Sequence, residues 1–245
     1  MAKARLRSPF DIPLEELATL TLGEQEELLK RAYELSKQAI MRAFSENPDV
    51  VEVVVCDGQV IYMARELGEI DMELLEELMS QYGKPCYVFG RPEMVEEAAW
   101  ASIDGDWYPT VELLIGSPAW DDRALSELGR RVVADFDTGC PTYFFDERVA
   151  EGIAPPPQAR EMRMSLHLGR PFFYFPRRVR MGIRDVEEAF RSALAYAAFV
   201  RRWPESPLTL INPRREGLVG RKLMFDLALE LMLNPVRRTT LMRLL

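Results

Sequence analysis

The chain has 245 residues, 48% of them apolar and 29% charged, with a net charge of -8. That is the composition of a folded protein with one large core or two modest ones, and it excludes a disordered or fibrous chain. No apolar run approaches the roughly 20 residues that span a bilayer, and none follows the basic N-terminus, so the sequence predicts neither a membrane partner nor a secretory signal and points to the cytoplasm.

Charge is distributed unevenly. Residues 1–108 hold 22 acidic and 10 basic side chains; the remainder holds 17 and 21, with arginine at every basic position there except Lys222. The break suggests two domains, 1–108 and 109–245. The clusters at 176–180 and 212–215 are short, lack a recognition motif and belong to an acidic chain. They read as solvated or interface arginines, and no nucleic-acid partner is expected. Cys56, Cys86 and Cys140 are widely spaced and include no Cys-x-x-Cys pair, so the sequence predicts free thiols, with no disulfide framework and no metal.

In chain order, Thr21 and Glu24 form a Thr-x-x-Glu capping box. Apolar residues at Leu28, Leu29, Ala32, Tyr33, Ile40, Ala43 and Phe44 then line one helical face, which Asn47-Pro48 ends. Two apolar strands, 50–56 and 59–63, flank Asp57-Gly58, a tight-hairpin signal. A second amphipathic helix over 72–82 stops at Gly83, and 85–89 is a strand. The acidic run from Glu66 to Glu77 reads as a solvated helix face. Together these elements make an acidic α/β module with no catalytic signature. It loosely resembles small modules found beside retropepsin-like domains in bacterial proteins, and partner binding or dimerisation is the role this implies.

From residue 109 the pattern is strand-rich. Strands are predicted at 110–115, 131–136, 162–168, 172–175, 189–202 and 208–211, with a turn at 169–171. A short helix over 221–227 precedes two terminal strands, 229–233 and 239–244. The fold class expected is α+β, a small N-terminal α/β module followed by a mostly β domain with one helix. His167 has no second histidine to work with, which excludes histidine-based triads and zinc sites; it reads as facing solvent or the sheet. Trp107, Trp120 and Trp203 read as core plugs.

The most specific feature is Asp137-Thr138-Gly139, at the end of an apolar strand and ahead of an aromatic run. Downstream, Leu218-Val219-Gly220-Arg221 precedes the helix. Across about 109–245 these two elements resemble the retropepsin-like aspartic protease family. The resemblance implies a homodimeric peptidase without cofactor, acting on a peptide or protein substrate. The chemistry needs two adjacent carboxylates, which share one proton because like charges that close cannot both ionise; one activates water while the other protonates the carbonyl oxygen. Asp137 supplies one, and because the triplet occurs once, a second subunit supplies the other. The supporting roles fall to Thr138, Gly139, Leu218, Val219 and Gly220: the threonine clamps across the two-fold axis, and Gly220 lets the second loop cross beneath Asp137. The family also implies that the two terminal strands join the dimer.

Three positions depart from the family pattern. Cys140 follows the triplet where alanine or serine is usual. Lys222 stands where an acid or amide is common, at the expected cost of an ion pair. The flap candidate, 169–188, has Gly182 as its one interior glycine, which leaves open a catalytically silent dimer that binds a peptide, and a scaffold working through its acidic module. Asp135 shares the strand face of Asp137 and is expected to make a rim ion pair with an arginine.

Overall fold

In the computed structural model, which describes residues 7–92, 109–137, 139–185, 187–209, 212, 215–234, 236 and 239–245, the chain opens with helices α1 (Leu14–Leu17) and α2 (Leu22–Glu46). Strands β1 (Glu52–Cys56) and β2 (Gln59–Ala64), helix α3 (Met72–Tyr82) and strand β3 (Cys86–Gly90) follow. Then come β4 (Thr110–Gly116), α4 (Asp122–Leu128), β5 (Arg130–Phe136), β6 (Phe144–Asp146), β7 (Arg163–His167), β8 (Arg170–Arg184), β9 (Phe190–Val200) and β10 (Gly217–Val219). Helix α5 (Arg221–Leu227) and strands β11 (Leu229–Asn234) and β12 (Thr239–Leu244) complete the chain. Short 3-10 turns connect several of these elements.

The chain divides into two units. Described residues up to 92 join 157–175 in the first, and described residues 109–156 and 176–245 form the second. Residues 157–175, counted with the C-terminal part on composition, return to the first unit because β7 runs parallel to β3 through Phe89 and Met164 and then hairpins onto β8.

In the first unit, side-chain parity explains the continuous apolar strands. Val53, Val55, Tyr87 and Phe89 point to one face, where they meet Leu29, Ala32, Tyr33 and Ile40 of α2. Val54, Cys56, Cys86 and Val88 point to the other, against Leu75 and Leu78 of α3. A strand covered on both faces loses its polar alternation, and β1 is buried along its whole length. The local signals operate as expected. Thr21 and Glu24 close the capping box. Asp57 and Gly58 both take positive φ between Cys56 and Gln59, the geometry of a tight turn matched to strand twist. Gly83 caps α3 in the left-handed conformation. Glu52, buried in β1, pairs with Arg163 and accepts from the Tyr174 hydroxyl at 2.7 Å. The turn between β7 and β8 is Leu168-Gly169, one step earlier than expected, and His167 is buried rather than at solvent.

In the second unit, strands in the order β8-β4-β5-β10-β6-β9 close into a six-stranded barrel through a β8–β9 pairing. β10 lies parallel to β5 and antiparallel to β6. Alternate residues fill the interior: Val111, Leu113 and Ile115; Val132, Ala134 and Phe136; Val179, Met181 and Ile183; Ala197 and Phe199. Small barrels are packed by side chains in this way. The terminal strands β11 and β12 make a separate two-stranded sheet. Residues 207–209 form a 3-10 turn rather than the start of a strand, and the rest of that expected strand lies outside the described residues. Trp203 is a core plug, buried and donating from its indole N–H to Arg215 O at 2.6 Å, and Trp120 packs over Gly116. Trp107 lies outside the described residues.

Candidate active site

Strand β5 carries Asp137 to the point where two loops cross. The Asp137 N–H donates to Val219 O at 2.8 Å, extending the parallel β5–β10 ladder by one bond. The backbone then tightens, with Cys140 N donating to Asp137 O at 3.0 Å. Gly139 N donates to Asp137 Oδ1 at 2.7 Å, fixing the carboxylate over its own turn. Asp137 Oδ2 is buried and receives no hydrogen bond from the described residues. Of the expected site residues, Asp137, Gly139, Leu218, Val219 and Gly220 are thus brought together, and Thr138 lies outside the described residues.

Gly220 stands at the crossing. A Cβ built there would overlap both Asp137 O and Cys140 O, so only glycine lets the β10 loop pass this close to the Asp137 turn. Leu218 and Val219 are buried, and Val219 belongs to the barrel core. The Cys140 thiol is also buried, with Sγ 3.0 Å from Thr142 O. The small side chain is accommodated in the turn as a packing residue.

Beneath the crossing lie contacts that sequence reading missed. The Tyr143 hydroxyl donates to Asp226 Oδ2 at 2.6 Å, and Lys222 Nζ pairs with Asp226 Oδ1 at 3.1 Å one helical turn away. Lys222 therefore makes an ion pair within α5 rather than costing one. Burial, and then the Asp226 carboxylate beside it, push the Tyr143 phenol well above its ordinary pKa, so the hydroxyl remains a donor to Asp226.

Asp135 makes an arginine pair as expected, but at a buried position instead of a rim. Its Oδ2 is 2.9 Å from Arg215 Nε, and it accepts from Asn212 Nδ2 at 3.0 and 2.9 Å. The Arg215 Nε contact is a charge contact without hydrogen-bond alignment. Asn212 and Arg215 were read as part of a solvated or interface cluster; both are buried. The only sequence clue was Asp135 itself, an acid two residues before the triplet that needs a partner once its strand is enclosed.

The segment proposed as a flap is mostly strand, its first part paired with β7 in the first unit and its later part a barrel strand. β8 runs unbroken from Arg170 to Arg184, and its Gly182 is pressed against Phe190 and Leu125. Asp185, at its end, turns the chain into β9 by accepting from Glu187 N and Ala189 N at 2.8 and 3.0 Å.

Among the described residues no cluster of three or more His, Cys, Asp or Glu could hold a metal ion, and no helix is long and apolar enough to cross a membrane. Compared with known protein families and with curated proteins, the chain matches no family model and no curated protein.

Proposed function

We propose that this protein is a retropepsin-like aspartic peptidase that works as a homodimer, with Asp137 of each subunit forming the carboxylate pair that activates water. The observation that carries this reading is the Asp137 carboxylate: one oxygen is held by the Gly139 N–H, and the other is buried without a partner among the described residues. A buried polar oxygen left unpaired costs free energy. A second carboxylate sharing a proton with it would remove that cost and complete the catalytic pair. The supporting frame is the Gly220 crossing and the Val219 carbonyl, which hold the turn from below. The role falls to the second unit, residues 109–156 with 176–245, and no cofactor takes part.

The experiment is hydrolysis of an unfolded protein substrate from acid to neutral pH, alongside Asp137→Asn, with sedimentation of both proteins. Activity in the wild-type dimer and its loss in a dimeric Asp137→Asn protein is the expected result. Equal activity in the two proteins removes Asp137 from catalysis, and a wild-type protein that stays monomeric at every concentration removes the paired site.

A second reading, a dimer of the same kind that binds a peptide without cleaving it, is favoured by one observation. The segment from which the flap was expected is held as packed strand in β8, and a lid over substrate has to bend. Peptide binding by the wild-type dimer with no hydrolysis at any pH selects this reading.

A further inference from the structure

In the first unit, β1 ends on Cys56 and β3 begins on Cys86. The two strands run antiparallel, and these cysteines lie directly opposite one another. Opposite residues in such a ladder alternate between hydrogen-bonded and non-hydrogen-bonded pairs. In the second kind the Cα atoms approach to about 4.5 Å and the side chains are closest. Arg91 N donates to Val51 O at 2.7 Å, one step beyond the Glu52–Gly90 pair, which makes Val51–Arg91 a bonded pair. Counting in twos, Val53–Phe89 and Val55–Tyr87 are bonded as well, and Cys56–Cys86 is a non-bonded pair. Both side chains face α3, among Leu75 and Leu78. The thiols are free and within reach of one another.

We infer that Cys56 and Cys86 form a redox pair, held as thiols in reducing surroundings and closed to a disulfide by a small-molecule disulfide such as oxidised glutathione. A disulfide spans Cα separations of roughly 4.4–6.8 Å, so the sheet needs little adjustment to accept one here. One cysteine thiolate attacks the oxidant, whose S–S bond breaks; a mixed disulfide forms and the first glutathione leaves. The second cysteine then attacks the protein sulfur of that mixed disulfide, closing the Cys56–Cys86 bond and releasing the second glutathione. The two electrons and two protons lost by the cysteines end on the two glutathiones. Folding favours the bond, because the sheet holds the two sulfurs together in advance. Burial governs its rate. It pushes both thiols above their ordinary pKa, which leaves little thiolate, and it keeps the oxidant away. The pair is therefore set while the chain folds and is retained afterwards. Neither Asp137 nor Cys140, both in the second unit, takes part, so the inference is independent of the peptidase reading.

The test starts from the reduced, unfolded full chain, so that burial does not block the reaction. It is brought to equilibrium in glutathione buffers of increasing oxidised fraction, in one series by refolding and in the other in concentrated urea. Remaining thiols are alkylated, and linked peptides are identified by mass spectrometry. A Cys56–Cys86 linkage is expected, half closed in the refolded series at an oxidised-to-reduced ratio about tenfold or more below that needed in urea. Cys140 should remain open to alkylation throughout. The comparison needs no variant to fold. Linkage through Cys140, absence of a linked peptide in both series, or closure no easier in the refolded chain than in urea would overturn the inference.

Discussion

Gly220 is the residue on which the candidate site most depends, because the backbone of two loops leaves no room for a Cβ. Gly220→Ala should destabilise the protein by about 3 kcal/mol, the upper range for overpacking a tight contact, read as a lowered urea midpoint with an unchanged slope. Arg215 presents a different physical case. Arg215→Leu removes a cationic partner from the buried Asp135 carboxylate, which keeps its Asn212 bonds, at a cost of about 3 kcal/mol or more. Adding Asp135→Asn should recover part of that loss, because the buried charge is gone; a double variant as unstable as the single one would refute this account. At this scale the sequence was legible where chemistry is local. Asp137, Gly139 and Gly220 could be located from short motifs, since tight turns restrict residue type. Arg215 and Asn212 could not, because they lie 80 and 77 residues beyond Asp135 in the chain and only the closed barrel brings them together.

Among the elements, the hairpins and capped helices were readable because their signals lie within a few residues: the box at Thr21, Asp57-Gly58, and Gly83. Helix α4 was missed. It has seven residues and buries Leu125 alone, so it has no periodic stripe, although Asp121 does cap it through a bond to Ala124 N. The β8–β9 turn yields a prediction of its own. Burial pushes the Asp185 pKa up, but amide donors from Leu244, Glu187 and Ala189 outweigh it, and the carboxyl lies below its ordinary value of 3.8. A group depressed in the folded state contributes stability above its unfolded pKa and loses it as pH falls through the folded one. The bond from Leu244 N to Asp185 Oδ2, 3.3 Å long, should therefore weaken below about pH 4. Amide exchange at Leu244 should accelerate there, relative to other β12 amides, and in Asp185→Asn that acid-dependent rise should be absent.

For the whole molecule, the terminal hairpin bears on assembly. Its inner face, including Leu231, Met242 and Leu244, packs on the barrel core. Met232 and Leu241 lie opposite one another on the outer face, each about two-fifths exposed. An exposed apolar pair on a two-stranded sheet is a surface that a second copy can cover. If the proposed dimer forms through this face, Met232→Glu with Leu241→Glu should convert it to a monomer in sedimentation and abolish the proposed hydrolysis, while Asp137→Asn should abolish hydrolysis alone. A dimer that persists in the double variant places the interface elsewhere. The α+β class and the strand-rich second half were legible from periodicity. The interleaving of the two units was not, because nothing in the local pattern of 157–175 reveals that its partner is a strand more than seventy residues earlier.

That interleaving has a temporal consequence. Met162, Met164, Phe173 and Phe175 complete the core of the first unit, yet they are synthesised after β4, β5 and β6 of the second. On the ribosome, the first unit must wait with its apolar sheet unfinished until residue 175 has emerged, while strands of the second are already available to pair with it. Slowing translation between residues 92 and 157 should therefore lower the yield of folded protein, whereas slowing it after residue 175 should leave the first unit's core intact. The period of greatest vulnerability for this chain lies in the middle of its synthesis.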